Sequence, residues 1–269
     1  MKYLFVCAHP DDLEFSCGNL MYYLTQHDKE VEILSLSRGE FGIFEPNWKG
    51  PRLAKIRTQE LKKATKINGI DNKHVHFGNI IDGFIRFTKE NVDLVISWIN
   101  QLKPDILFAP EPYFTYYWHT DHISTGKILY YITTKLQNQI NKKIRSLYYY
   151  TTFKSNFSWP FNNAEHSYKA LFEHKSQMWL LKRSKLFYPL EKHNFKKRKL
   201  GNWKMVEGYR RISLYDKQPK ANILTRGILG LISNLHIINP PDSHFIVSDM
   251  NTGFGQKVRK LRARYKFKE

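Results

Sequence analysis

The 269-residue sequence predicts an α/β fold: a mainly parallel sheet flanked by helices, with an extension at the C-terminus. Three observations carry this expectation. Short β-branched and aromatic runs alternate with amphipathic segments along the first half of the chain, the pattern of strands joined by crossover helices. The richest polar motifs, "HPDDLE", "SRGEFG" and "EPYFTYYWHTDH", each follow a strand-like run. In parallel sheets, ligands gather beyond the carboxyl ends of the strands, so those loops are also where a site belongs.

The elements follow in order. Residues Tyr3 to Ala8 read as a short buried strand that stops at "HPDD". "FSCGNLMYYLTQHD" then places Leu20, Met21, Tyr23 and Leu24 on one helical face. "VEILSLSRGE" alternates and ends at Gly39 as a second strand. "PRLAKIRTQELKKATKINGI" opens with proline and closes at Asn68-Gly69, which are helix start and stop signals. "HVHFG" is a third strand, "ENVDLVISWINQLKP" a helix and "DILFAPEP" a fourth strand; a helix runs from His122 towards Asn138, and "SLYYYTT" closes the series. From about Lys192 the pattern weakens, and "KKRK" reads as a solvated run. A boundary near residues 220/221 separates a core domain (1–220) from a basic extension (221–269).

The extension holds Leu224, Ile228, Leu231, Leu235 and Ile238 as one apolar helical stripe, followed by the basic "KVRKLRARYKFK". Such a stripe packs on its own domain or on another subunit of a homo-oligomer. A second reading makes it an interfacial helix that rests on a membrane surface. Lys and Arg total 43 against 24 Asp and Glu, a formal net charge of +19, which suits an anionic partner or a lysine-rich solvated surface. Nucleic acid is not expected, because the aromatic residues are not interleaved with a basic motif. With Cys7 and Cys17 alone, no disulfide framework is expected, and a reducing compartment fits. No signal-peptide core and no apolar run of the roughly 18 residues needed for a span is present, so the expectation is a soluble cytoplasmic protein, peripheral at a membrane surface under the second reading.

The chemistry sits in two loops. Asp11, Asp12 and Glu14 beside His9 would repel one another in a dry pocket unless a cation sat among them. "HTDH" supplies His119, Asp121 and His122 beyond the fourth strand. Two imidazoles, His9 and His122, and the Asp12 carboxylate form the donor set of a catalytic zinc site that keeps one position open. Asp11 then stands free as a general base for an acidified water. His119, a partly charged donor oriented by Asp121, would stabilise an oxyanion or protonate a leaving amine, with Tyr117 as an additional donor or a packing residue.

"AHPDDLE" (Ala8 to Glu14) together with "HTDH" (His119 to His122) resembles the PIG-L/LmbE-like, zinc-dependent N-acetylglucosaminyl deacetylases. That family includes the glycosylphosphatidylinositol-, mycothiol- and bacillithiol-pathway deacetylases. The resemblance spans roughly residues 1 to 180 and takes in "SRGEFG", "IRTQEL", "IDGF" and "KPDILFAPEP". It implies a Rossmann-like three-layer fold, Zn2+ held by His9, Asp12 and His122, Asp11 as base and His119 at the oxyanion. Arg38 would contact the substrate, an N-acetylated sugar, as would Asp82 and Glu14. Thr120 stands where many relatives carry proline. Rival readings are an amidase of another sugar conjugate using the same site, or a basic nucleic-acid- or membrane-surface-binding protein with a vestigial metal site.

Several residues have plainer expectations. Arg57 and Glu60, three apart on a helix, read as a structural ion pair. His74 and His76 read as ordinary strand residues facing one side, His166 and His174 as solvated or core positions, and Cys7 as a small buried hydrophobe turned away from His9.

Overall fold

The computed structural model describes residues 1–43, 46–115, 117–177 and 205–212, together with residues 214 and 223. Seven strands form one sheet in the order β3-β2-β1-β4-β5-β7-β6: β1 (Lys2–Cys7), β2 (Glu30–Ser35), β3 (Val75–Phe77), β4 (Ile106–Pro110), β5 (Ser146–Tyr150), β6 (Phe157–Phe161) and β7 (Met205–Ile212). The first five are parallel, and β7 runs antiparallel to both β5 and β6. The helices are α1 (Asp12–Ser16), α2 (Gly18–Gln26), α3 (Pro51–Ile67), α4 (Lys89–Leu102), α5 (Thr120–Lys135) and α6 (Glu165–Leu171). No helix of the described residues is long and apolar enough to cross a membrane.

The sheet separates two apolar layers. On one side Leu4, Val6 and Leu107 pack with Val95, Ile99, Ile128 and Leu129 from α4 and α5. On the other Phe5, Cys7 and Ile33 pack with Leu13, Met21 and Leu61 from α1, α2 and α3. Strand residues alternate between the layers because successive side chains of a strand point to opposite faces. Cys7, fully buried, sits in the second layer as an apolar side chain.

Local sequence sets the helix ends. Pro51 occupies the first turn of α3, and Gly69, at φ 77°, follows its Asn68 cap in a conformation open to glycine. Thr88 caps α4 by accepting from the Asn91 N–H. α5 begins at Thr120 with His119 at its N-cap, so His122 lies in its first turn.

Three expectations change. The sheet does not close at β5: β7 and β6 extend it in antiparallel sense, and β7 lies within the stretch where the pattern weakens. Tyr23 is 39% exposed, and the buried face of α2 is Leu20, Met21 and Leu24. His74 lies in a 3-10 turn, and both His74 and His76 close on the buried Glu32 carboxylate, at 3.0 and 2.8 Å. The stripe residues Leu224 to Ile238, the basic tail, "KKRK" and the 220/221 boundary lie outside the described residues.

The Glu32 cluster, near the amino ends of the strands, gives a stability prediction. Burial pushes this carboxyl up, but the hydrogen bonds from His76 and His74 outweigh it and hold it below its ordinary value. The unfolded chain, with Glu near 4.5, therefore takes up the proton first, and the contribution of this carboxylate is present above that pH and is lost as pH falls through the lower folded value. Glu32→Gln is expected to cost about 2 kcal/mol at pH 7 and to flatten the acid limb of stability against pH, read by urea unfolding. An unchanged acid limb would show that the cluster carries no such linkage.

Candidate metal centre and active site

β1 and β4 are neighbours although they are far apart in sequence, so the chain leaves the sheet in opposite senses on either side of them. This is the switch point where open parallel sheets place ligands. The loop after β1 carries His9 and Asp11 and runs into Asp12, the first residue of α1; the loop after β4 carries Tyr117 and His119 and runs into Asp121 and His122 in the first turn of α5. Gly126 permits the close seating of α5 over β4, since a Cβ there would collide with the Pro110 carbonyl.

Three atoms converge. His9 Nδ1 and His122 Nε2 are 3.1 Å apart, and Asp12 Oδ1 lies 3.1 Å from the His122 nitrogen and 3.7 Å from the His9 nitrogen. Bonds of 2.0–2.1 Å to a tetrahedral ion place ligand atoms about 3.3 Å apart, so these atoms form one face of such a site. Lone pairs of two imidazoles and a carboxylate aimed at one point repel unless a cation stands between them. The Asp12 second oxygen is taken by the Ala8 and His9 N–H groups at 3.0 and 2.9 Å, which fixes the carboxylate and leaves Oδ1 directed inward.

The far side of the His9 ring faces two carboxylates, with Nε2 at 3.0 Å from Asp82 Oδ1 and 3.4 Å from Asp121 Oδ2. The Asp82 contact is an ion-pair distance, out of line for a hydrogen bond. These two carboxylates place negative charge against the ring edge opposite Nδ1. Burial opposes charge on His9, and Asp82 with Asp12 and Asp121 more than reverses it, so the ring is held well above its ordinary value. Burial likewise pushes Asp12 up, while His122 and His9 hold it well below. Two groupings of metal-ligating side chains also meet here: His9, His119 and His122, and His9, Asp82 and Asp121, each with ligand atoms within 4.8 Å. The set with Asp12 has a longest edge of 3.7 Å.

His119 differs in chemistry from what its motif suggests. Its Nδ1 accepts from the Asp121 backbone N–H at 3.2 Å. The Asp121 carboxylate instead takes the Gly83 N–H at 2.7 Å and pairs with Arg86. Burial lowers His119 to about 4, with His9 and His122 adding to the effect. The ring is therefore a neutral donor through Nε2, oriented by backbone, and not a partly charged one oriented by a carboxylate. Tyr117 is 43% exposed at the rim, edge-on to His122 with ring centroids 4.6 Å apart; its exposure lies along the ring, while enclosure of the hydroxyl end raises that group to about 12, so it remains a donor at neutral pH.

Asp11 faces a partner that spacing on a helix could not reveal. Arg57 of α3 donates through Nη2 to Asp11 Oδ1 and through Nη1 to the Gly39 carbonyl, while Glu60 binds Ser176. The Arg57–Glu60 pair expected from spacing is thus replaced by two separate long-range contacts. Gly39, at φ 64°, has Arg57 where a Cβ would stand. The signal available in the sequence was the glycine of "SRGE", a loop position that admits a close neighbour.

The other expected substrate contacts sort differently. Glu14 is 1% exposed, and its carboxylate is engaged by Asn68 and by His174, so it faces the helix layer and has no free edge for a sugar. Asp82 is 6% exposed and engaged by His9 and the Phe41 N–H. Arg38 is half-buried, donating to Asn79 and Thr58 beside the Phe77 ring.

Fold and site together define an α/β protein with a candidate histidine–aspartate metal site at the switch point of its sheet. The chain matches, through residues 4–133, the family model described as PIG-L: GlcNAc-PI de-N-acetylase. It is 30% identical over 125 residues to diacetylchitobiose deacetylase of Thermococcus kodakarensis, a match covering 46% of this chain and 46% of that protein. The chain thus matches about half the length of that curated relative. The solved N,N'-diacetylchitobiose deacetylase of Pyrococcus horikoshii superposes with a TM-score of 0.72 at 23% identity, over 81% of this chain and 86% of that one. GalB, a 4-carboxy-2-hydroxymuconate hydratase from Pseudomonas putida, has the same fold at a TM-score of 0.58 and 18% identity, over 82% of this chain and all of that one.

Proposed function

We propose that this protein is a zinc-dependent deacetylase that removes the acetyl group from an N-acetylated sugar, an N-acetylglucosamine unit of an anionic glycoconjugate. The observation that carries the reading is the compact triangle of His9 Nδ1, His122 Nε2 and Asp12 Oδ1 with a second carboxylate, Asp11, beside it. The family match and the deacetylase relative support it.

His9, Asp12 and His122 would hold the zinc, which when bound polarises an amide carbonyl and acidifies a water. Asp11, fixed at Oδ1 by Arg57, takes the water proton on its other oxygen and returns it to the departing amine, so that acetate and a free amino sugar leave. His119, neutral, donates from Nε2 to the oxyanion that develops on the amide oxygen, and Tyr117 lies close enough to share that task. Asp82 and Asp121 hold His9 in register. Arg38 is the cation nearest to a substrate role, and the net charge of +19 favours a substrate bearing phosphate.

The test is acetate release from N-acetylglucosamine compounds: free, as N,N'-diacetylchitobiose, nucleotide-linked, inositol-linked and lipid-linked. Chelation is expected to abolish release and zinc to restore it. His122→Ala is expected to bring bound zinc from about one per chain to near zero by elemental analysis, with release lost in parallel. Zinc-loaded protein that hydrolyses no member of the panel would sink the substrate assignment.

A further inference from the structure

The amino ends of the strands hold a second concavity. A groove of about 1040 Å³ opens there, its walls carrying Lys142, Lys143 and Arg145 from the segment leading into β5 and Arg211 from β7. Asp105, just before β4, is the one carboxylate among its described lining residues. That carboxylate is heavily committed. It accepts from the Lys2 N–H at 2.9 Å and pairs with Lys142 at 3.0 Å and Arg145 at 3.7 Å. Lys143 and Arg211 have no carboxylate partner among the described residues; Arg211 donates to the Ser146 hydroxyl at 3.3 Å. Between these cations the floor is apolar, with Ile144 fully buried and Phe157 37% exposed.

Four cations around one carboxylate in a concave, partly apolar wall focus a positive field. The group they match is a multiply acceptor-bearing anion, which Arg and Lys bind through charge-assisted hydrogen bonds. The volume lies at the upper end of ordinary ligand sites, far more than a bare phosphate fills, and Phe157 offers an apolar contact for whatever carries the anion.

We propose that this groove is a second site, binding the phosphate group of a larger ligand, independent of the metal centre. The strands that separate the two sites are five to six residues long, so they lie a strand length apart, roughly 15–20 Å. A ligand in the groove therefore anchors the protein or its substrate's distant portion and touches no reacting atom. The phosphate arrives on a soluble ester or on a lipid headgroup, and the experiment separates the two.

Glycerol 3-phosphate and vesicles of phosphatidylglycerol in phosphatidylcholine are the probes, read by amide chemical shifts and by sedimentation. The variants are Lys143→Gln/Arg211→Gln, and Lys142→Gln/Lys143→Gln should the first alter the unfolding midpoint. Lys63→Gln/Lys66→Gln, on the exposed face of α3, removes the same charge elsewhere and serves as control. Binding of glycerol 3-phosphate that shifts residues 142–146 and 156–157 and weakens about tenfold in the groove variant but not in the control supports a soluble source. Vesicle binding alone with the same selectivity supports a lipid source. Neither probe binding, or equal weakening in groove variant and control, overturns the site and leaves net charge as the explanation. None of these readouts uses deacetylation, so failure here and failure of the proposed activity remain distinct.

Discussion

Asp11→Asn is expected to lower kcat for acetate release by about 10²–10⁴-fold, with bound zinc and the unfolding midpoint unchanged. The substitution keeps the shape of the side chain and its contact with Arg57, whose Nη2 can still donate to the amide oxygen. It removes only the capacity to accept a proton. The metal position is insulated from the change because Asp12 is fixed by the Ala8 and His9 N–H groups of its own loop. KM should move little, since no sugar contact is assigned to Asp11. Metal content, unfolding and steady-state kinetics measured on the same preparation separate the outcomes. A rate within tenfold of the parent protein, at full zinc occupancy, would remove Asp11 as the base and return the role to another group of the rim.

Arg210→Met is expected to cost about 3–5 kcal/mol of stability. Arg210 of β7 makes two hydrogen bonds to Glu111, Nε to Oε2 at 2.6 Å and Nη2 to Oε1 at 2.7 Å, and Glu111 is fully buried. Without the guanidinium the carboxylate is left charged with, among the described residues, the Tyr113 N–H and the Thr152 hydroxyl as hydrogen-bond donors. Pairing the change with Glu111→Gln removes the stranded charge, so the double variant should recover a substantial part of the loss even though the ion pair is gone. Urea unfolding of both variants is the measurement. A loss below 1 kcal/mol for Arg210→Met would mean the pair is not a structural tie. Glu111 also begins the loop that ends at His119 and leads into the α5 turn carrying His122, so kcat should fall in Arg210→Met as that loop loosens.

What could be read from the sequence was local. The stop signals of α3, the strand ahead of "HPDD" and the two histidine–aspartate motifs are encoded by neighbouring residues, so pattern alone located them. What escaped was set by partners far along the chain. Arg57 reads as an i,i+3 pair with Glu60 because helix geometry favours that contact, yet its partner lies 46 residues away in a loop. Glu14 adjoins the motif in sequence but turns to Asn68 and His174, 54 and 160 residues distant. His119 and Asp121 stand two apart, and the expected side-chain link became a backbone one once α5 began at Thr120. β7 does not read as a strand because "EGYRRI" carries three charges; Glu207 is consumed by Asn19 and Leu20 and Arg210 by Glu111, which makes a strand with a charged sequence a buried one.

The position of β7 between β5 and β6 also dictates an order of assembly. Among the described residues β6 meets the sheet only through β7, although it precedes β7 by more than forty residues. As the chain emerges from synthesis, β1 to β5 can pair in sequence, and β6 must wait. During that interval the outer edge of β5 presents unpaired backbone groups, the condition under which strands recruit wrong partners. The last described strand is thus the one that seals the sheet, and a chain interrupted before Met205 would carry an open edge and an unpaired β6.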